Sequence, residues 1–196
     1  MTGKTHLLGG IMFGAGTAIA IQSDPISAGI LITSATVGSL VPDIDHPNSM
    51  ISRKLPLLSW IYQFVALIDK GVSKLLKTSY KAGHRGITHS LLVYLALFIP
   101  VLFCVESYEL FLLFSGLILG AISHIAFDMC NYGGDKILLP FSSKKFWLLP
   151  KKLRIKTKSQ FKTKEERKSF EAKKETIFAV IILIIDAVLV KFAFGL

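Results

Sequence analysis

Charge is scarce in this chain, and acidic charge is scarcer still. Only 18% of its 196 residues are charged, with 13 acidic side chains against 23 basic ones. A soluble globular domain carries nearer a quarter, so that class fits poorly. Cysteine is almost absent too. Cys104 and Cys130 fall in different segments and form no CxxC pair, which excludes a disulfide framework. They read as thiols facing lipid or core, although Cys130 has polar neighbours and a ligand role stays open for it. No inverted repeat relates the apolar segments, which argues against a transporter. The basic tract from 144 to 175 contains no nucleic-acid reading module, so no nucleic-acid partner is expected.

Apolar residues are abundant. They make up 52% of the chain, mean hydropathy is +0.55, and they come in runs, as membrane segments do. The runs cover residues 7–22, 26–41, 91–105, 110–127 and 177–194. Asp24-Pro25 separates the first two. Each of these is about 16 residues long, short of the roughly 20 that a full span needs. Gly10 and Gly14 in the first run, and Gly116 and Gly120 in the fourth, form GxxxG pairs that let helices approach closely. The first two runs therefore read as a tight helical hairpin. From Leu55 to Leu76 apolar residues recur at helical spacing, interrupted by Lys70, Lys74 and Lys77. That segment is an amphipathic helix, lying either on the membrane surface or packed on the domain. Residues 164–175 suit a charged helix. The expected fold is all-α, a polytopic membrane bundle of about five spans with an amphipathic surface helix. Residues 1–150 would form the membrane-embedded metal-site domain, 151–176 a basic cytoplasmic segment, and 177–196 a C-terminal transmembrane helix.

Basic residues orient the bundle. The loop from 42 to 87 holds Arg53, Lys54, Lys70, Lys74, Lys77, Lys81 and Arg85, and the loop from 128 to 176 holds more. The short turns near Asp24 and at Glu106 to Glu109 hold none. The N-terminus and both long loops are thus expected in the cytoplasm and the C-terminus on the opposite side. The first segment is expected to be retained, although Lys4, the apolar stretch and Ala18-Ile19-Ala20 superficially resemble a signal peptide. The lysines and arginines of 144–175 would attract anionic lipid headgroups.

On this topology every histidine reaches the same face. His6 opens the first span, and His46 follows the second beside Asp43 and Asp45. His84 and His89 precede the third, His84 in the loop and His89 in the first turn. His124 closes the fourth, with Asp128 one turn on and on the same helix face. Imidazoles suit zinc and its transition-metal neighbours, and carboxylates can bridge two ions. The expected ligands are His6, Asp43, Asp45, His46, His84, His89, His124 and Asp128. Eight exceed the four of one tetrahedral zinc, so two or more divalent ions, or one with supporting carboxylates, are expected. Arg85 either grips a substrate phosphate or anchors the loop. Asp186, in the middle of the fifth run, is expected to make a structural hydrogen bond or to stay protonated.

Four strings carry a resemblance: Thr5-His6; Val41-Pro42-Asp43-Ile44-Asp45-His46-Pro47; Gly83-His84-Arg85-Gly86-Ile87-Thr88-His89-Ser90; and Gly120 through His124 to Asp128. Together they resemble the LexA-regulated, membrane-bound, metal-dependent hydrolase family, the YdjM-like inner-membrane proteins, over roughly residues 1 to 150. The ligand set also resembles helical zinc-dependent phospholipases C in residue types. Where the family would have a Thr-Pro turn after Asp128, this chain reads Met129-Cys130-Asn131-Tyr132-Gly133-Gly134. Leu139-Pro140-Phe141 restores the pattern.

The resemblance implies an inner-membrane hydrolase. Joined to the ligand set, it gives the leading expectation: cleavage of an ester or phosphoester, lipid-linked by virtue of the site's depth, at the cytoplasmic membrane surface. Metal-activated water would attack. Arg85 and Asp45 would be the catalytic side chains, with Arg85 stabilising developing negative charge. The alternative is a non-catalytic membrane protein with a structural or sensory metal site.

Overall fold

The computed structural model describes the backbone of residues 3–45, 58–75, 86–155 and 164–194. Side chains are described for 3–44, 63–75, 86–155 and 176–194. Six α-helices lie among them: α1 Gly3–Ala20, α2 Pro25–Gly38, α3 Leu58–Leu75, α4 Leu91–Cys104, α5 Tyr108–Met129 and α6 Lys164–Ala193. Two single 3-10 turns, Pro42–Asp45 and Ile87–His89, lie among the described residues. These include no named strand. The segment from 130 to 155 has only isolated bridges, Asn131 to Ile155 and Asp135 to Phe146.

The expected hairpin forms. Asp24 starts α2 by accepting the amides of Ile26 and Ser27 on Oδ1, at 2.9 and 3.2 Å, and Pro25 occupies a position with no amide to satisfy. Helix α2 sits at the centre of a seam of small residues. Gly10 and Gly14 of α1 lie so close to α2 that an added Cβ would stand 2.6 Å from the Ala35 carbonyl and 2.8 Å from Ile32 Cα, respectively. On its other side α2 meets α5, where a Cβ on Gly116 would strike Ser34 and one on Gly120 the Ala35 carbonyl. Both GxxxG pairs therefore serve one helix. In a lipid solvent such close packing supplies association energy that apolar burial does not.

Around this seam, Ala18, Ala28, Leu31, Leu112 and Ala193 form one buried cluster, and Tyr94, Ala121 and Ile125 another. The outer helices present apolar side chains outward, among them Leu97 and Phe103 on α4, Phe114 on α5, and Ile181, Ile184 and Phe192 on α6. Lipid is the natural solvent for such surfaces. Among the described residues three stretches are long and apolar enough to cross a membrane: Pro25–Ile44, Tyr108–Met129 and Thr176–Ala193. Helix α4 is apolar but shorter. Of the five expected spans, three thus meet the length and composition required.

Two details depart from the sequence reading. The charged segment after Lys164 and the last apolar run form one uninterrupted helix, α6, because no Gly or Pro stands between them to stop it. Asp186 is buried, yet neither carboxyl oxygen has a hydrogen-bond partner among the described residues. The expected structural hydrogen bond is not made there.

Helix α3 packs on the rest of the chain, one of the two placements left open for it. Its Asp69 is 3% exposed and accepts the Ile87 amide on Oδ1 at 3.1 Å, which ties the helix to the rest of the chain. Phe64, Leu67, Ile68 and Leu75 remain exposed, as do Lys70 and Lys74. The helix thus docks through a polar contact and keeps an apolar face outward.

Candidate metal centre

Four separate segments deliver the site. The first turns of α1 carry His6, the 3-10 turn after α2 carries Asp43, the turn before α4 carries His89, and the last turns of α5 carry His124 and Asp128. The small-residue seam lets this happen, since it draws the ends of α1, α2 and α5 together. His6, His89, His124 and Asp128 are each at most 2% exposed. The Asp43 side chain is 21% exposed and forms the outer edge.

Imidazole and carboxylate alternate at close range. His6 Nε2 lies 3.5 Å from Asp128 Oδ1. His124 Nε2 lies 3.6 Å from Asp43 Oδ1 and 3.9 Å from Asp128 Oδ2. His89 Nε2 lies 3.9 Å from the same two carboxylate oxygens. The rings of His6 and His124 stack, with centroids 3.6 Å apart and planes 12° from parallel. The His89 ring meets His124 edge-on at 5.2 Å. Two imidazolium ions would repel at stacking distance, so this packing favours the neutral rings that bind metals.

Hydrogen bonds at the rims orient the ligands. His124 Nδ1 donates to the Ser39 carbonyl at 2.7 Å. A carbonyl only accepts, so in the neutral ring the lone pair belongs to Nε2, which has no hydrogen-bond partner among the described residues. That lone pair faces carboxylate oxygens, an arrangement that calls for a cation between them. The separations agree. They are longer than direct hydrogen bonds, whereas two ligands of one tetrahedral zinc at ~2.1 Å would lie about 3.4 Å apart. The Thr88 hydroxyl meets His89 Nδ1 at 3.2 Å, and Asn131 Nδ2 donates to Asp128 Oδ1 at 2.8 Å. Such supporting contacts fix tautomer and ring orientation at metal sites. The residues present fit a divalent metal ion.

Of the eight expected ligands, His6, Asp43, His89, His124 and Asp128 come together. Asp45 lies in the 3-10 turn with Asp43, and its side chain is outside the described set. His46, His84 and Arg85 lie outside the described residues. Cys130 does not join the cluster. Its thiol donates to the Ala126 carbonyl, and burial pushes its pKa up, away from the thiolate that a metal needs.

The structure adds residues that the sequence reading passed over. Asp135 is 1% exposed and sits with His89 and Asp128. The loop that carries it is pinned by Ser90, whose hydroxyl donates to the carbonyls of Leu139 and Ile137. Asn131 and Asp69 were likewise unassigned. The one available signal was position: Asn131 and Asp135 follow Asp128 within seven residues, in a turn that directly continues the helix bearing two ligands.

Three sets of ligand atoms lie within 4.8 Å of one another: His6, His124 and Asp128; Asp43, His89 and His124; and His89, Asp128 and Asp135.

Comparison with known proteins bears on the family. The family model described as "YdjM inner membrane protein" matches residues 1–194. The chain is similar to YvsG of Bacillus subtilis (strain 168), at 36% identity over 140 residues, covering 71% of this chain and 74% of that protein. It is also similar to "Inner membrane protein YdjM" of Escherichia coli (strain K12), at 31% identity over 149 residues, covering 71% of this chain and 66% of that protein. No solved structure matches.

Proposed function

The chain belongs to the YdjM inner membrane protein family, and from that premise we propose that it is an inner-membrane, metal-dependent hydrolase of esters or phosphoesters. The observation that carries the reading is the convergence of three buried imidazoles on two carboxylates, with the His124 Nε2 lone pair aimed between Asp43 and Asp128. Zinc suits this mixed nitrogen and oxygen set.

His6, Asp43, His89, His124 and Asp128 would hold the ion. A divalent ion supplies Lewis acidity, activating water as a nucleophile at neutral pH. Ser39, Thr88 and Asn131 keep the ligands oriented. The burial of the three histidines excludes bulk water and strengthens charge interactions within the site. Asp43, the exposed edge, marks the side from which substrate arrives. Arg85, next to Gly86 in sequence, is assigned to stabilising negative charge on a scissile phosphoester, as a guanidinium can. Asp45 is assigned to water activation from its place in the Asp43 turn, and His46 and His84 to supporting ligation.

The basic loops favour the cytoplasmic surface for this end of the bundle, and the exposed apolar side chains and lysines of α3 suit a helix at headgroup depth. A phospholipid or lipid-linked phosphoester is the substrate class that this depth favours, and the lysines of 144–175 would gather anionic headgroups.

A second reading, a structural or sensory metal site, has its own support. Four of the five converging ligands are wholly buried, as in closed structural sites. Phosphoester hydrolysis by protein in nanodiscs, with metal and with chelator, separates the two. The hydrolase reading expects metal-dependent turnover that His89→Ala and Asp128→Ala abolish, each with loss of bound metal. Full metal binding without turnover on any phospholipid tested would favour the second.

A further inference from the structure

The three ligand sets cannot all be filled independently, because an imidazole nitrogen has one lone pair and binds one ion. The set of Asp43, His89 and His124 borrows one histidine from each of the other two. Those other two, His6 with His124 and Asp128, and His89 with Asp128 and Asp135, share no imidazole. They share only the Asp128 carboxylate, and a carboxylate has two oxygens. Asp128 Oδ1 lies beside His6, while Oδ2 lies beside His89 and His124. By these sets the three histidines divide into a pair and a single, joined by one bridging carboxylate whose Oδ2 faces both His124 and His89.

From this division we propose that the pocket holds two divalent cations. Asp128 bridges them, His6 and His124 complete the first position, and His89 and Asp135 complete the second. This rests on the metal-centre reading and extends it to a count and an assignment. Asp43, 3.6 Å from His124 Nε2 and 3.9 Å from His89 Nε2, stands between the positions and serves either. The second position depends on the irregular loop. Asp135 reaches His89 because Ser90, the neighbour of His89, holds that loop by its hydroxyl. The Asp135 backbone is further paired with Phe146 in both directions, at 3.1 and 2.8 Å. A buried carboxylate beside Asp128 also has an electrostatic reason to be a ligand. Two carboxylates packed together in a low-dielectric pocket are costly unless a cation, or a proton, lies between them.

The test uses full-length protein in nanodiscs, loaded with Zn2+ or Mn2+ and dialysed against metal-free buffer. Elemental analysis is expected to count two ions per wild-type chain and one per Asp135→Asn chain. The EPR spectrum of the Mn2+-loaded wild type is expected to show an exchange-coupled pair, and that of Asp135→Asn an isolated ion. One ion in the wild type, lost on His124→Ala, overturns the two-ion proposal while leaving the metal centre standing. No ion in the wild type overturns both. Two ions retained in Asp135→Asn, or both lost, overturn the assignment of Asp135 to one position. Whatever that variant does, uncoupled Mn2+ in the wild type overturns the bridge.

Discussion

His124 donates from Nδ1 to the main-chain carbonyl of Ser39 at 2.7 Å, joining the last turns of α5 to the end of α2. The bond fixes which nitrogen of His124 faces Asp43 and Asp128. It exists only because Gly120, one turn earlier on α5, lets the two helices touch: a Cβ there would strike the Ala35 carbonyl and the Ser39 amide. Packing in the lipid layer and chemistry at its edge are therefore one problem in this fold.

Gly120→Val is expected to force α5 from α2 and destabilise the bundle by about 1–3 kcal/mol, the usual cost of overpacking. It should also weaken metal binding, since His124 moves with α5. Gly16→Ala is the control. Nothing lies within 4 Å of a Cβ at that position, and helix propensity favours alanine by up to ~1 kcal/mol. Thermal unfolding in detergent should rank Gly16→Ala at or above the wild type and Gly120→Val well below it.

Asn131→Ala removes the donor that orients Asp128, at 2.8 Å from Oδ1. Losing such a supporting contact typically reduces metal affinity roughly 10–100-fold. Competition with a chromophoric chelator measures this directly. Unchanged affinity would mean that Asp128 needs no such positioning.

Asp69→Ala leaves the Ile87 amide without the carboxylate that it meets at 3.1 Å. The bond is part-buried, so its loss is expected to cost about 1 kcal/mol, and it falls on the turn that presents His89. Hydrogen exchange should show faster exchange at Ile87, and the metal should bind more weakly. Exchange unchanged at that amide would separate α3 from the site.

The candidate ligands legible in the sequence share one property: they are polar residues at the ends of apolar segments. Periodicity locates those segments, and the basic loops say which ends lie together, so His6, Asp43, His89, His124 and Asp128 follow, along with Asp45, His46 and His84, whose side chains lie outside the described set. Asp135 and Asn131 do not. They reach the site through an irregular loop held by single contacts such as Ser90 to Leu139, and no repeat pattern encodes a contact between residues 49 positions apart. The hairpin was legible from its glycines, but not that both GxxxG pairs converge on α2. Pairing across helices depends on which faces meet, and a motif on one helix does not name its partner. Five apolar runs suggested five spans because composition was counted over whole runs. Only three described stretches are long enough as well as apolar.

Asp24 gives the fold a pH dependence far from the site. Hydrogen bonds from Ser27, by side chain and amide, and from the Ile26 amide hold its carboxyl below the usual carboxylate range. A group depressed on folding contributes stability that is fully present above its unfolded pKa, about 3.9, and is lost as pH falls through the lower folded value. Wild type is therefore expected to lose this increment below about pH 4, and Asp24→Asn to lack that part of the acid dependence. Unfolding followed across pH 2–6, the range spanning that titration, measures the difference. Identical profiles would remove Asp24 as the source.

The central claim is that the buried histidines and carboxylates are a metal centre, and the most direct measurement is the metal content of purified protein beside that of His124→Ala. The wild type should retain at least one divalent ion per chain through dialysis, and the variant should retain fewer than the wild type while keeping its helical circular dichroism. A folded wild type that binds no divalent metal, or a His124→Ala chain that binds as much as the wild type, would contradict it.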